Sequence, residues 1–237
     1  MKNAVLLSAA LALAPGTPAR SPQESAAPEV GLRCVQEWIV PEGKEGQARD
    51  LALRMSRYFQ ANHGQEIPSA VFKRDEGQRI VWFLDLPDIA SFDRLQGTLN
   101  GEEGWRALSE ELDRAFDVEV AFMLPASETR PARDGARAMR WSLRLRASYG
   151  NYAGALRHAR AVAEYVNSHC QDTWVEVYRE VLPDNGSIQV YSDWKSPDAW
   201  RRAQLQLWQE EEFLRLMEGA AGLYEDELWE EGPLDSM

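Results

Sequence analysis

The sequence predicts an α+β fold in which one β-α-β-β-α-β unit is written twice in a single chain. Three observations carry this. A phrase repeats: "IVWFLDLPDIASF", starting at Ile80, returns as "IQVYSDWKSPDAW", starting at Ile188, each an apolar strand that runs into a Pro-Asp helix start and an aromatic. Register repeats with it, since Cys34 and Trp141 lie 107 positions apart, His63 and His169 106, Pro87 and Pro197 110, and Trp105 and Phe213 108. Near-constant offsets with small loop differences are what duplication produces. Finally, strand and helix patterns alternate in the same order in both halves.

In the first copy, "LRCVQEWIV" (Leu32 to Val40) has strand composition, and Ala48, Leu51, Met55, Tyr58 and Phe59 mark one face of a helix over 44–62. "SAVFKR" and "RIVWFLDL" are strands around an Asp75-Glu76-Gly77 turn, a hairpin signal. A helical stretch from Asp88 to Ala115, broken near Gly101 and Gly104, leads into the strand "VEVAFML". "ASETRPARDGAR" (Ala126 to Arg137) is polar and rich in breakers, a linker by composition. The order then restarts with the strand "MRWSLRLRA" and a helix face of Tyr152, Leu156, Ala159, Val162 and Val166. "TWVEVYRE" and "SIQVYSDW" form a hairpin around Pro183-Asp184-Asn185-Gly186. Ser196-Pro197 supplies an N-cap with proline at the first helical position, opening a helix to about Glu218, and "LYEDELWEE" is the last strand.

Before the first copy, Lys2, an apolar run from Ala4 to Ala14 and the small residues Thr17-Pro18-Ala19 fit a secretory signal over 1–19. The run is too short to span a bilayer, covering roughly 16 Å as a helix against about 30 Å of hydrocarbon. Export to the periplasm or the medium is the expectation, with an uncleaved segment serving instead to tether the chain to a membrane assembly. The Ala-, Pro- and Ser-rich stretch 20–31 reads as a flexible linker. The organisation is therefore 1–19 signal, 20–31 linker, 32–125 first repeat, 126–137 linker and 138–237 second repeat.

A formal net charge of -12, with acids outnumbering bases 38 to 26, argues against a nucleic-acid partner, which requires a Lys/Arg footprint. The acidic runs at Glu210 to Glu212 and Glu225 to Glu231 read as solvated faces rather than cation sites. Export would permit a disulfide between the two cysteines, Cys34 and Cys170, but Cys34 has the apolar neighbourhood of a buried free thiol, the more economical reading.

With two such units, and with Glu-Glu-x-aromatic in each second helix ("EEGW" from Glu102, "EEEF" from Glu210), the chain resembles tandem members of the dimeric α+β barrel superfamily, which includes antibiotic-biosynthesis-monooxygenase-like and NIPSNAP-like proteins. The resemblance covers roughly Leu32 to Glu231. It implies two ferredoxin-like β-α-β-β-α-β repeats in one chain, forming a pseudo-dimeric α+β barrel. It implies no single reaction, because the superfamily mixes oxygenases, haem enzymes, isomerases and proteins without known activity.

The residues themselves name no catalytic group, metal ligand set or cofactor. There is no G-x-S-x-G, P-loop, G-x-G-x-x-G or C-x-x-C. His63 and His169 fall at the end of each first helix, where an imidazole can bond terminal carbonyls, and His158 has no partner at ligand spacing. The resembling oxygenases often need no cofactor and use Asn, Trp or His around an aromatic substrate, for which Trp38, Trp82, Trp141, Trp194 and Trp200 are candidates. Strand alternation instead places Trp38, Trp82, Trp141 and Trp194 under the helices as core.

The opposite strand faces differ between copies. The first carries Arg33, Val35, Glu37, Ile39, Val71, Phe83 and Met123, and the second Arg140, Ser142, Arg144, Arg146, Glu176, Tyr178, Tyr191, Asp193, Glu225 and Glu227. A partly apolar and a charged wall would suit a small amphipathic ligand, with Arg144, Arg146, Tyr178, Tyr191, Asp193 and Glu227 as the binding set. In this reading Arg144 lies beside Tyr191 or Asp193 and beside Glu225 or Glu227. Arg/Glu pairing that merely zips the strands is the competing account. Three functions follow: an exported non-catalytic binding or protein-interaction module, a cofactor-independent monooxygenase-like enzyme on a small aromatic, and an accessory subunit of a membrane-associated assembly.

Overall fold

The computed structural model describes residues 30–74, 77–128, 139–170, 173–182, 186–225 and 230–237. The signal, most of the linker before the first copy, residues 129–137 of the linker over 126–137, and the centres of both hairpin turns lie outside these residues. The chain is α+β and divides into two compact units.

The N-terminal unit comprises β1 (Leu32–Ile39), α1 (Glu45–Asn62), β2 (Ser69–Arg74), β3 (Arg79–Leu86), α2 (Ile89–Gly101), α3 (Glu103–Ala115) and β4 (Asp117–Pro125). Its strands are antiparallel in the order β4-β1-β3-β2, the ferredoxin-like arrangement. Its core is Trp38, Leu51, Met55, Phe59, Ile80, Trp82, Trp105 and Leu112 with their neighbours, which α1, α2 and α3 bury against one sheet face. The helix break read from Gly101 and Gly104 falls where α2 gives way to α3.

The C-terminal unit comprises β5 (Met139–Arg146), α4 (Tyr152–His169), β6 (Thr173–Leu182), β7 (Ser187–Trp194), α5 (Pro197–Leu207) and α6 (Glu211–Glu218), with strands in the order β5-β7-β6. Leu143, Val162, Val166, Val177, Ile188, Trp194 and Phe213 centre its core. Trp141 lies at the core's edge, its ring stacked on Trp200 at 5.0 Å.

Four sequence readings need correction. The helix expected without interruption to Glu218 is two, because Trp208, Gln209 and Glu210 turn the chain between α5 and α6. The last strand, expected over 223–231, is β8 (Glu230–Ser236), while Tyr224 makes only an isolated bridge to Ala147. Val71 faces the helices, since it sits opposite Trp82 in the β2–β3 register and joins the same core. Pro87 and Pro197 are not equivalent: the N-caps are Asp88, accepting from Ser91 N at 2.7 Å, and Ser196, accepting from Ala199 N at 3.1 Å. Proline precedes the cap in one copy and follows it in the other, and the cap positions restore the 108-residue offset seen elsewhere in this stretch.

Beyond the strand order, the copies share three side-chain latches. Tyr58 of α1 donates to Glu102 Oε2 at 3.0 Å, and Tyr165 of α4 donates to Glu210 Oε2 at 2.9 Å. Both glutamates are N-caps, of α3 and α6, so the Glu-Glu-x-aromatic phrase is a clamp between the two helices of each unit, with Trp105 or Phe213 as its buried tooth. Gln60 bonds the backbone of Ser69 at the start of β2, and Asn167 makes the matching contacts to Val175 of β6 at 2.7 and 2.8 Å. The third latch, an arginine–aspartate pair, belongs to the candidate site.

The last residues of the chain join the N-terminal unit. Asp235 and Ser236 of β8 pair with Lys73 and Phe72 of β2, Met237 N donates to Val71 O at 3.3 Å, and Met237 packs on the N-terminal core.

Truncating the fully buried Phe59 to alanine is expected to cost about 3–5 kcal/mol in denaturant-induced unfolding, whereas Ile89→Ala, at a half-exposed position, should stay within about 0.5 kcal/mol.

Candidate functional site

On the strand face turned away from its helices, each unit carries a buried arginine chelated by the aspartate directly across from it. Arg33 of β1 donates to Asp85 of β3 through Nε at 2.7 Å and Nη2 at 2.9 Å, with both side chains shut off from solvent. Its guanidinium carbon lies 5.3 Å from the Phe83 ring centre. Arg140 of β5 grips Asp193 of β7 through Nε and through Nη2 at 2.8 Å, with its guanidinium 5.8 Å from the Tyr191 ring. A planar fork held by a carboxylate and covered by an aromatic suits arginine and not lysine. Both aspartates lie two residues past the aromatic, in "FLD" and "YSD".

Of the six residues expected to bind ligand, Tyr178 and Tyr191 are in ring contact, and Asp193 lies on the same face of β7 as Tyr191. Tyr178 and Tyr191 are buried with ring centres 5.8 Å apart, and Tyr191 pairs across from Ser142 and Glu176. Arg144 is placed differently from the expectation. It sits opposite Gln189, and its Nη2 reaches Glu180 at 2.8 Å, while Arg140 takes the place beside Tyr191 and Asp193. The reason is register: β5 and β7 run antiparallel with Arg140 opposite Asp193, so each step along β5 moves the partner back one along β7. Arg146 and Glu225 approach at 3.5 Å on a partly exposed stretch. Glu227 lies outside the described residues.

The sequence reading missed Asp85, Glu180 and Gln189. Asp85 could have been found by pairing "FLD" with "YSD". Glu180 and Gln189 follow from continuing the alternation of Glu176 and Tyr178 along β6 and of Tyr191 along β7. All three are buried polar groups on the helix-free faces.

Other nucleophilic and titratable candidates are engaged elsewhere. His158 is buried in α4, where Nε2 donates to the Leu216 carbonyl at 2.9 Å. Because a carbonyl only accepts, Nε2 carries the proton in the neutral ring, leaving Nδ1 3.0 Å from the Tyr224 hydroxyl, which in turn donates to Ala155 O at 2.8 Å. Burial holds the imidazole pKa below its ordinary 6.5, against the opposing pull of the Leu216 bond. Cys34 and Cys170 are both free thiols, one in each core, and burial pushes Cys34 up to about 12 and Cys170 higher still. A thiol so placed is not a nucleophile near neutrality. His63 caps the C-terminus of α1 and His169 ends α4, as the sequence indicated, with His63 Nε2 3.1 Å from Glu102 Oε1 and the His169 ring stacked on Tyr165 at 4.0 Å. No group of three or more His, Cys, Asp or Glu among the described residues could hold a metal ion. No helix among them is long and apolar enough to cross a membrane.

No family model matches the sequence, and no curated protein is similar to it. Solved structures are. A provisionally assigned monooxygenase from Fusobacterium nucleatum aligns with a TM-score of 0.64 at 8% identity, over 90% of this chain and 93% of its own. A second such assignment, from Lactobacillus acidophilus, gives 0.62 at 6% identity over 88% and 94%, and an anthrone oxidase-like protein gives 0.61 at 12% over 89% and 92%. The fold is thus the ferredoxin-like dimeric α+β barrel fold that the sequence resembled. At these identities the likeness extends to the fold and no further.

Two outcomes are expected from this geometry. Asp85→Ala strands a buried guanidinium and should cost about 3–5 kcal/mol by chemical denaturation, while the double replacement Arg33→Met with Asp85→Leu recovers most of that loss. For His158, the unfolded chain binds a proton below 6.5 that the folded chain resists. Stability is therefore complete above that pH and falls as the pH drops toward the lowered folded value. His158→Gln should flatten this slope between pH 7 and about 5 in thermal melts, as the unperturbed imidazole titration range implies.

Proposed function

We propose that the chain is a non-catalytic binding or protein-interaction module, with the helix-free strand face of its C-terminal unit as the recognition surface for a small amphipathic molecule. The observation that carries this reading is the commitment of the reactive side chains to structure. The histidines cap or cross-link helices, the thiols are buried, and Asp85, Asp193 and Glu180 are each held by an arginine. In the proposed set, Arg144 and Arg146, which keep some exposure, contact an anionic or polar group, with the buried Tyr178 and Tyr191 rings as an apolar floor and Asp193 fixing Arg140 beside Tyr191; Glu227, the remaining member, lies outside the described residues. Export, with removal of 1–19, belongs to the same proposal. Retention of that segment would favour a membrane-associated assembly as partner.

The test uses the purified full chain and the fluorescent anion 8-anilinonaphthalene-1-sulfonate as probe. Arg146 and Glu225 are both partly exposed, so Arg146→Ala should change stability by no more than about 1 kcal/mol. It should nevertheless weaken probe binding severalfold, and unchanged binding would remove this face from the proposal. Intact mass of the native protein then reports cleavage near Ala19 and any small molecule carried through purification.

A second reading, a cofactor-independent monooxygenase-like enzyme, is supported by solved structures of the same fold that are provisionally assigned as monooxygenases or described as anthrone oxidase-like. Oxygen uptake with an anthrone as substrate separates the two. The binding-module reading expects uptake no faster than the anthrone's own autoxidation, and protein-dependent uptake would replace it with the enzyme.

A further inference from the structure

We propose that Tyr58 is a site of proton-coupled one-electron oxidation, reached by holes that pass from Trp82 through Trp105. This inference rests on the N-terminal unit alone and is independent of the function proposed above. The aromatic rings of that core form a continuous series. Trp82 lies 5.8 Å from Trp105, Trp105 lies 6.0 Å from Tyr58, and Phe59 packs against both tryptophans at 5.7 and 6.1 Å. Trp82 is buried, Trp105 nearly so, and Tyr58 reaches the surface.

The two ends of the series differ in what they offer a proton. The Trp82 indole N–H is buried and has no acceptor among the described residues. A tryptophan radical cation formed there cannot shed its proton and stays strongly oxidising. Tyr58, by contrast, donates its phenol to Glu102 Oε2 at 3.0 Å, and Glu102 is itself in contact with His63 Nε2 at 3.1 Å. Phenol oxidation becomes much easier when the proton can leave with the electron, so the hole comes to rest on Tyr58.

The balance is closed. An external one-electron oxidant takes an electron from Trp82, Trp105 refills Trp82, and Tyr58 refills Trp105. The phenolic O–H bond breaks and its proton passes to the Glu102 carboxylate. The products are the reduced oxidant, a neutral Tyr58 phenoxyl radical and a protonated Glu102, with both tryptophans restored.

The second copy keeps the proton acceptor and lacks the conduit. Tyr165 donates to Glu210 as Tyr58 does to Glu102, but the positions equivalent to Trp82 and Trp105 are Val190 and Phe213. Gly104 adds a local adaptation: a Cβ there would come within 2.6 Å of the Tyr58 ring, so glycine is what lets that ring lie against the start of α3. Its counterpart is Glu212, and Tyr165 instead stacks on His169.

The experiment is flash-quench oxidation of the full chain with photogenerated tris(bipyridine)ruthenium(III), read by electron paramagnetic resonance and transient absorption. The wild type should give a tyrosyl signal that Tyr58→Phe diminishes and Tyr165→Phe leaves intact, the remainder coming from the fully exposed Tyr149. Trp105→Phe, the residue the second copy uses, should prolong tryptophan radical decay and lower the tyrosyl yield. Glu102→Gln keeps a hydrogen-bond acceptor without a base, and should slow radical formation and change its solvent deuterium effect. Far-ultraviolet dichroism and thermal melts of each variant establish that the fold is retained. A tyrosyl signal that survives Tyr58→Phe undiminished, or a yield unaffected by Trp105→Phe in a folded variant, overturns the proposal.

Discussion

A buried arginine chelated by a cross-strand aspartate sets the register of each half of this protein. A guanidinium removed from water is tolerated only where its donors are met by charge and geometry, and each fork finds both in the carboxylate opposite it on the third strand of its unit. Sliding β1 by one residue past β3 would separate Arg33 from Asp85. It would also turn Leu32, Cys34 and Trp38 of β1 away from the helices that cover them and from Trp82 and Leu84 of β3. The polar pair thus acts on the apolar core at a distance, by permitting only the alignment in which that core exists. Specificity of this kind need not add net stability.

Much of the fold was legible in the sequence because period-two and period-3.6 patterns report directly which face of an element is covered. Alternation alone places Trp38, Trp82, Trp141 and Trp194 in the core, and the core holds all but Trp141, which packs at its edge. Alternation misplaces Val71 because β2 reads "SAVFKR", a run with apolar residues on both faces, in which Ala70 and Phe72 occupy the helix-free side. The candidate face was legible in composition and illegible in pairing. Alternation says that Arg140, Arg144 and Arg146 share a face, but which arginine meets which acid depends on the stagger of two strands, and stagger is set by contacts distant in sequence. That is why the sequence alone lends Arg144 the neighbours that belong to Arg140.

Comparison of the two copies separates what the fold requires from what has been free to change. The Tyr–Glu clamp, the amide that ties the first helix to the second strand, the N-cap of the second helix and the Arg–Asp fork all persist. The interior beneath them does not. Trp82 and Trp105 of the first copy are Val190 and Phe213 in the second, while Trp194 of the second stands where the first has Leu86, so the two units place their indole rings at different core positions. The clamps lie at element ends, where geometry is common to both copies. The volume they enclose can be filled in more than one way.

The pairing of Asp235 and Ser236 with β2 has a consequence for biosynthesis. Lys73 emerges from the ribosome 162 residues before Asp235, the residue it pairs with, and the whole second unit is made in the interval. Throughout that time β2 presents an edge without its final neighbour, next to a hairpin whose other strand is already satisfied by β1. Closing so long a loop adds little to the equilibrium cost, which grows only with the logarithm of its length. It delays the event itself, and the order in which the chain appears makes the first unit to be translated the last to be completed. Nascent chains stalled within the second repeat would therefore expose β2 to other strands, and Lys73, a charge on that edge, is the kind of side chain that discourages such encounters.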